Sequence, residues 1–132
     1  MWTISAGIKL IARGGSINDY DKGSHFLSED SEVMQYAVYS IDKEMISRHV
    51  HKPRNRQGKY PTHEFFIVWC GTLLVTFYTM DKQVISSKVL HGGDFFCQHS
   101  GGHGFESLEY GTVFMEVKHG PFLGVEIDKI KF

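Results

Sequence analysis

From Val33 to Pro121 the chain is a succession of short apolar or alternating runs broken by turn formers, with little helical spacing anywhere. VMQYAVYSI (Val33 to Ile41) and EMISRHVH (Glu44 to His51) are the first two predicted strands, joined by a turn at Asp42–Lys43. A polar, basic loop, KPRNRQGKYP, follows, with the turn formers Pro53, Gly58 and Pro61. THEFFIVWC is a strong strand ended by Gly71, TLLVTFYTM comes at once, and DKQ turns the chain into VISSKVL. GGD then opens FFCQHS, GGHG opens FESLEY, and GTVFMEVKHG is the last strand, ended by Pro121. The first thirty or so residues lack a clear pattern, and SINDYDKGS reads as a turn-rich loop. Short strands with glycine-containing turns and no helical interval predict an antiparallel sandwich or barrel. An immunoglobulin-like sandwich is the alternative, but the cysteine spacing and tryptophan placement do not fit it.

Side chains alternate across a strand, so His49 and His51 share one face, with Met45 and Ser47. In the next strand Glu64 shares a face with Phe66, Val68 and Cys70, opposite His63, Phe65, Ile67 and Trp69. Both faces of this strand are apolar, so both are expected to be covered, one by the barrel interior and one by another sheet or a second subunit. That points to a homodimer.

Composition narrows the class. At 132 residues the chain is expected to form one domain over 1–132, with a barrel core at about 33–121 and an N-terminal extension at 1–32. Hydrophobic residues make up 42% and aromatics 14%, enough for a substantial core. A formal charge of −1 removes the general electrostatic case for nucleic acid or an anionic membrane as partner. No stretch has the length of a membrane span, and the N-terminus is a poor signal peptide. Cys70 and Cys97 have apolar neighbours and read as buried free thiols of a cytoplasmic protein, with a disulfide in an oxidising compartment as the alternative.

Eight histidines are the compositional oddity. Two at i and i+2 on a strand point the same way, roughly 6.5–7 Å apart at the backbone, close enough to share a metal. Glu64 can add a carboxylate, and His103, in the glycine-rich turn HSGGHGF, a third imidazole. HEFFI is not a zinc-protease motif, because Ile67 stands where the second histidine belongs and the segment is a strand. GGHG is not a phosphate loop, because no helix follows it. Lys52, Arg54, Arg56 and Lys59 make the loop after the histidine pair basic: on charge alone a solvated surface loop, or, beside the barrel mouth, one from which Arg54 could clamp a carboxylate or phosphate. Glu116 and Lys118 share a face with Thr112 and Phe114, as an interior ion pair or a surface pair.

These residues resemble the cupin superfamily. Its first motif is a glycine, His-x-His, a gap, Glu and a glycine seven positions later, matched here by His49, His51, Glu64 and Gly71. The gap between His51 and Glu64 is twelve residues where the family usually has three or four. Its second motif is matched by Gly93, His99 in place of the usual proline, Gly101 and His103, one residue short and without the asparagine. The ending, with GGHGF, EVKHGPF and Asp128–Lys129, is similar to a small, poorly characterised bacterial branch.

The resemblance implies a jelly-roll β-barrel (a double-stranded β-helix) holding one divalent transition metal, Fe, Mn, Ni, Zn or Cu, on His49, His51, Glu64 and His103. It further implies a small-molecule ligand, with a carbohydrate or nucleotide-sugar of polysaccharide biosynthesis as the first expectation and isomerase or epimerase chemistry. Glu116 and His99 are the candidate proton carriers, and Arg54 and Lys118 the candidate substrate contacts. An iron-dependent dioxygenase and a non-catalytic sugar-binding or sensor module are the alternatives.

Overall fold

The computed structural model describes residues 1–52, 54–55, 59–60, 62–121, 124 and 129–132. Its described residues hold fourteen strands and one 3-10 turn, at Ile17–Asp19, and no helix long and apolar enough to cross a membrane. The strands are β1 (Trp2–Ala6), β2 (Lys9–Gly14), β3 (Gly23–Phe26), β4 (Met34–Ile41), β5 (Met45–His51), β6 (Arg54–Asn55) and β7 (Lys59–Tyr60). They continue with β8 (Glu64–Cys70), β9 (Thr72–Tyr78), β10 (Val84–His91), β11 (Phe95–Gln98), β12 (Gly102–Ser107), β13 (Thr112–His119) and β14 (Lys129–Lys131).

Two five-stranded antiparallel sheets make the body, in the orders β10-β9-β12-β5-β14 and β11-β8-β13-β4-β3. From β8 to β13 the chain changes sheet at every connection except the β9–β10 hairpin, the winding of a jelly roll. Gly71, at the β8–β9 corner, has φ +88°, and a Cβ there would lie 2.6 Å from the Thr112 Cα. Only glycine fits that corner. Between the sheets the residues Tyr39, Phe66, Leu73, Val75, Phe105 and Phe114 form the core. Its rings are in contact, with Phe66 and Phe105 5.0 Å apart and Tyr39 and Phe114 stacked at 4.8 Å.

The strands expected between Val33 and Pro121 are all present, and four more lie outside that span, where none was expected. β1 and β2 form a separate hairpin, and β3 and β14 are the outermost strands on one side of the two sheets. Their short or weakly alternating sequences gave no period-2 signal, and pairing to a neighbour's backbone made them strands. Within the loop expected after His51, β6 and β7 pair with each other.

Two bulges correct the parity expected from the sequence. In β5, His49 faces His103 and Ile46 faces Phe105, so three steps on β5 match two on β12. The extra residue puts Ile46, not Met45, against the core, while Met45 is exposed. In β8 the register slips between Val68 and Cys70, which turns Cys70 out of the Glu64–Phe66–Val68 face. Both cysteines are free and exposed rather than buried.

Candidate metal centre

The bulge in β5 ends just before His49 and aims His49 and His51 between the sheets. β8 enters from the opposite sheet with Glu64, and β12 lies beside β5 with His103. All four side chains are buried, Glu64 and His103 to 2% and 1% exposure. One ligand atom from each lies within 4.8 Å of all the others, a group that can hold one metal ion. His49 Nε2 is 3.2 Å from His51 Nε2, which is 2.7 Å from Glu64 Oε1. His103 Nδ1 is 3.5 Å from Glu64 Oε2.

Hydrogen bonds fix which nitrogens remain available. His49 Nδ1 donates to the Ser47 carbonyl at 3.0 Å, leaving Nε2 with its lone pair. Gln98 donates its amide to the carbonyls of Ser100 and Gly102, both at 3.0 Å, so its Oε1 can only accept. His103 Nδ1, 2.6 Å from that oxygen, is therefore the donor, which leaves the lone pair of its Nε2 available to a metal. The sequence pointed to His99 and passed over Gln98, yet Gln98 is opposite Glu64 in the β11–β8 ladder and therefore faces inward with it. His99, one residue on, is exposed on the outer face and does not reach the site.

The electrostatics suit a metal as well. Burial, with the charge of Lys129 and the neighbouring His51, lowers His49 to about 4. Burial likewise holds His103 well below the ordinary histidine range. Both are neutral at physiological pH, the form that ligates. Burial raises Glu64, against the pull of its hydrogen bond with His51. Three imidazoles and a carboxylate converging in a buried interior fit a divalent transition metal.

The turn that delivers His103 leaves no room for side chains. Gly101 has φ +81°, and a Cβ there would run into the Tyr78 carbonyl. A Cβ on Gly102 would collide with the His49 carbonyl and Val50.

Glu116 and Lys118 prove to be interior. Lys118 Nζ is 3.6 Å from Glu116 Oε1, and Tyr39, which the sequence did not single out, donates its hydroxyl to Glu116 Oε2 at 2.8 Å. Burial pushes Glu116 up, but Lys118, Lys129 and the Tyr39 hydroxyl outweigh it and hold the carboxyl below its ordinary value. Glu116, Lys118 and Lys129 line a cavity of about 280 Å³ with Phe26, Gln35 and Tyr36, at the side of the barrel where β3 and β14 are outermost. Lys118 is the cross-strand partner of Glu64, which brings the cavity next to the quartet. Lys129, on β14 opposite His51, is a second charge that the sequence reading missed. The side chain of Arg54, together with Arg56 and Asp128, lies outside the described residues.

No protein-family model matches the chain, and neither does any curated protein. Solved structures do. A variant of Bacillus subtilis oxalate decarboxylase matches with a TM-score of 0.64 and 18% identity, over 89% of this chain and 32% of that one. Another structure of that enzyme, studied for its Mn(II) centres, gives 0.57 and 18% over 77% and 24%. A cupin-2 domain protein from Shewanella frigidimarina gives 0.56 and 16%, over 79% of this chain and 92% of that one. The chain thus spans about a third of the oxalate decarboxylase and nearly the whole of the small cupin.

Proposed function

We propose, for a chain whose fold is that of a small single-domain cupin, a metal-dependent enzyme acting on a monosaccharide-sized carbonyl compound by isomerase- or epimerase-type proton transfer. One observation carries the reading: a buried ligand quartet and a separately charged carboxylate, Glu116, face the same interior beside one cavity. A divalent ion bound by His49, His51, Glu64 and His103 would supply Lewis-acid polarisation of a carbonyl. Glu116, held ionised by its lysine neighbours, accepts the proton from the adjacent carbon. Tyr39, whose hydroxyl is pushed up by burial and by Glu116, stays protonated and orients that carboxylate. Lys118 steadies the other Glu116 oxygen and faces the ligand.

The cavity is at the lower end of the range of about 300–1,000 Å³ usual for ligand pockets, and so suits a sugar better than a nucleotide-sugar. Phe26 and Tyr36 offer ring faces, and Ser28, Asp30 and Gln35 offer polar contacts. A second reading, a small carboxylate substrate such as the one in the name of oxalate decarboxylase, is favoured by Lys118 and Lys129 at the same cavity. Incubation of the Mn(II)-loaded protein with aldoses and ketoses in D2O decides the matter. Deuterium entering the carbon next to the carbonyl, lost in Glu116→Gln, is expected, whereas turnover of carboxylates alone would favour the second reading. Two exposed free thiols accord with a cytoplasmic setting, and the half-exposed outer face of β8 accords with a homodimer.

A further inference from the structure

The cavity beside the quartet has one wall made by the loop over residues 27–33, between β3 and β4, and that loop is braced from two sides. Gln35 is buried, and its polar atoms all serve the loop. Its amide donates to the carbonyls of Glu29 and Glu32, both at 2.8 Å, and its oxygen accepts the Ser28 hydroxyl at 3.0 Å. The Ser28 oxygen in turn accepts the Tyr36 backbone amide at 3.0 Å. From β2, Arg13 reaches Glu32 at 3.0 Å and Glu29 at 3.4 Å. Gly120 makes room for the brace, because a Cβ there would lie 2.7 Å from Gln35 Cγ. Exposed loops are ordinarily mobile. This one is held still.

What the bracing fixes is Asp30. Ser28 and Gln35, the other polar side chains on this wall, are already bonded within it, whereas among the described residues no side chain pairs with the Asp30 carboxylate at the cavity rim. Strand register gives its distance from the quartet. Glu64, Lys118 and Gln35 are successive cross-strand partners on β8, β13 and β4. The loop that Gln35 holds therefore stands two strands, roughly 10 Å, from Glu64. Charge is ordered along that line. Lys118 faces Glu116 near the quartet, Lys129 adds a second positive charge, and Asp30 adds a second negative one at the rim. The cavity is lined by two charges of each sign.

We propose that Asp30 is the specificity-determining residue of this cavity. Its carboxylate accepts hydrogen bonds from hydroxyls at the end of a sugar remote from the carbonyl, and it turns away a substrate that carries an anion there. The assignment rests on the isomerase reading above and narrows it to neutral polyhydroxy carbonyl compounds, because acids of the same length meet a like charge at the rim.

Hexoses and their uronates test it, since the two share a carbonyl end and differ only at the far carbon, a hydroxymethyl group in one and a carboxylate in the other. Calorimetry on the Mn(II)-loaded protein with D-glucose and D-glucuronate, and with D-galactose and D-galacturonate, gives a ratio of Kd values for each pair. Overall folding and metal content do not move that ratio. The wild type is expected to prefer the hexose by about tenfold, a value between the limits for a charge pair in water and one near a protein surface. Asp30→Asn should bring the ratio close to one, and Asp30→Lys should invert it. A ratio that stays unchanged in either variant, a wild-type preference for uronates, or no measurable binding of either hexose overturns the assignment. Failure of the isomerase reading has a different signature: the ratio responds to Asp30, but no deuterium enters the bound sugar in D2O.

Discussion

At the scale of single residues, the interior site depends on which nitrogen each histidine presents. His51→Ala removes a ligand and should abolish binding at the quartet. His63→Ala, on the outer face, should leave the interior ion in place. Metal content measured on both variants checks the strand facing and the role together. Gln98 holds His103 in one tautomer, and losing such a partner typically costs about 10–100-fold in metal affinity. Gln98→Ala should show that loss in competition titrations, and Gln98→Glu, which can still accept from Nδ1, should recover part of it. The same buried histidines make the metal-free protein acid-sensitive. Above about pH 6.5 His49 is neutral folded and unfolded, and contributes nothing to the pH dependence. As the pH falls from there to about 4, the unfolded chain takes up a proton that folded His49 refuses, so stability drops. The loss is about 3 kcal/mol at most from His49, at roughly 1.4 kcal/mol per pKa unit, and His103 adds in the same direction. Denaturant melts between pH 7 and 4 should follow this slope, and a flat profile would refute it.

At the scale of elements, the site depends on a bulge and a glycine turn. Without the extra residue in β5, His49 and His51 would keep the phase of Met45 and face out of the barrel. Deleting Ser47 should therefore leave a β-rich spectrum while eliminating the interior ion. Gly102→Ala forces a methyl into the His49 carbonyl, pushing β12 from β5 where their histidines meet. We expect a cost of about 1–3 kcal/mol, typical of overpacking, and weakened metal binding, both measurable on the purified variant. His99, expected as a proton carrier, is placed outside the interior for the same reason of phase. β11 runs in step with β8, so the inward place at the end of that strand belongs to Gln98.

At the scale of the whole molecule, the exposed apolar surface is what a single chain leaves unexplained. Phe65, Trp69 and Phe95 on the outer face of the β11–β8 sheet are 39%, 50% and 66% exposed, and the β1–β2 hairpin shows Trp2, Ile4 and Ile8 to solvent. Apolar surface of this kind is typically an association surface. Sedimentation at micromolar concentration should give a two-fold dimer. Phe95→Asp should shift it to monomer without removing the interior ion, and a strict monomer for the wild type would sink the idea.

The sequence alone determined the architecture and all four members of the candidate metal quartet, because both rest on local pattern. Apolar runs of strand length broken by glycine predict a barrel, and His-x-His on a strand means two imidazoles on one face wherever that strand goes. Tertiary structure decided whatever depends on pairing between distant segments. The register of β11 on β8 chose Gln98 over His99, and the slip in β8 exposed Cys70. The pairing of β14 with β5 brought Lys129 beside His51, across a separation that no local spacing encodes. A strand's own alternation specifies two faces but not which one is inside. Only the partner strands, with their bulges, settle that, since a shift of one residue exchanges the faces completely.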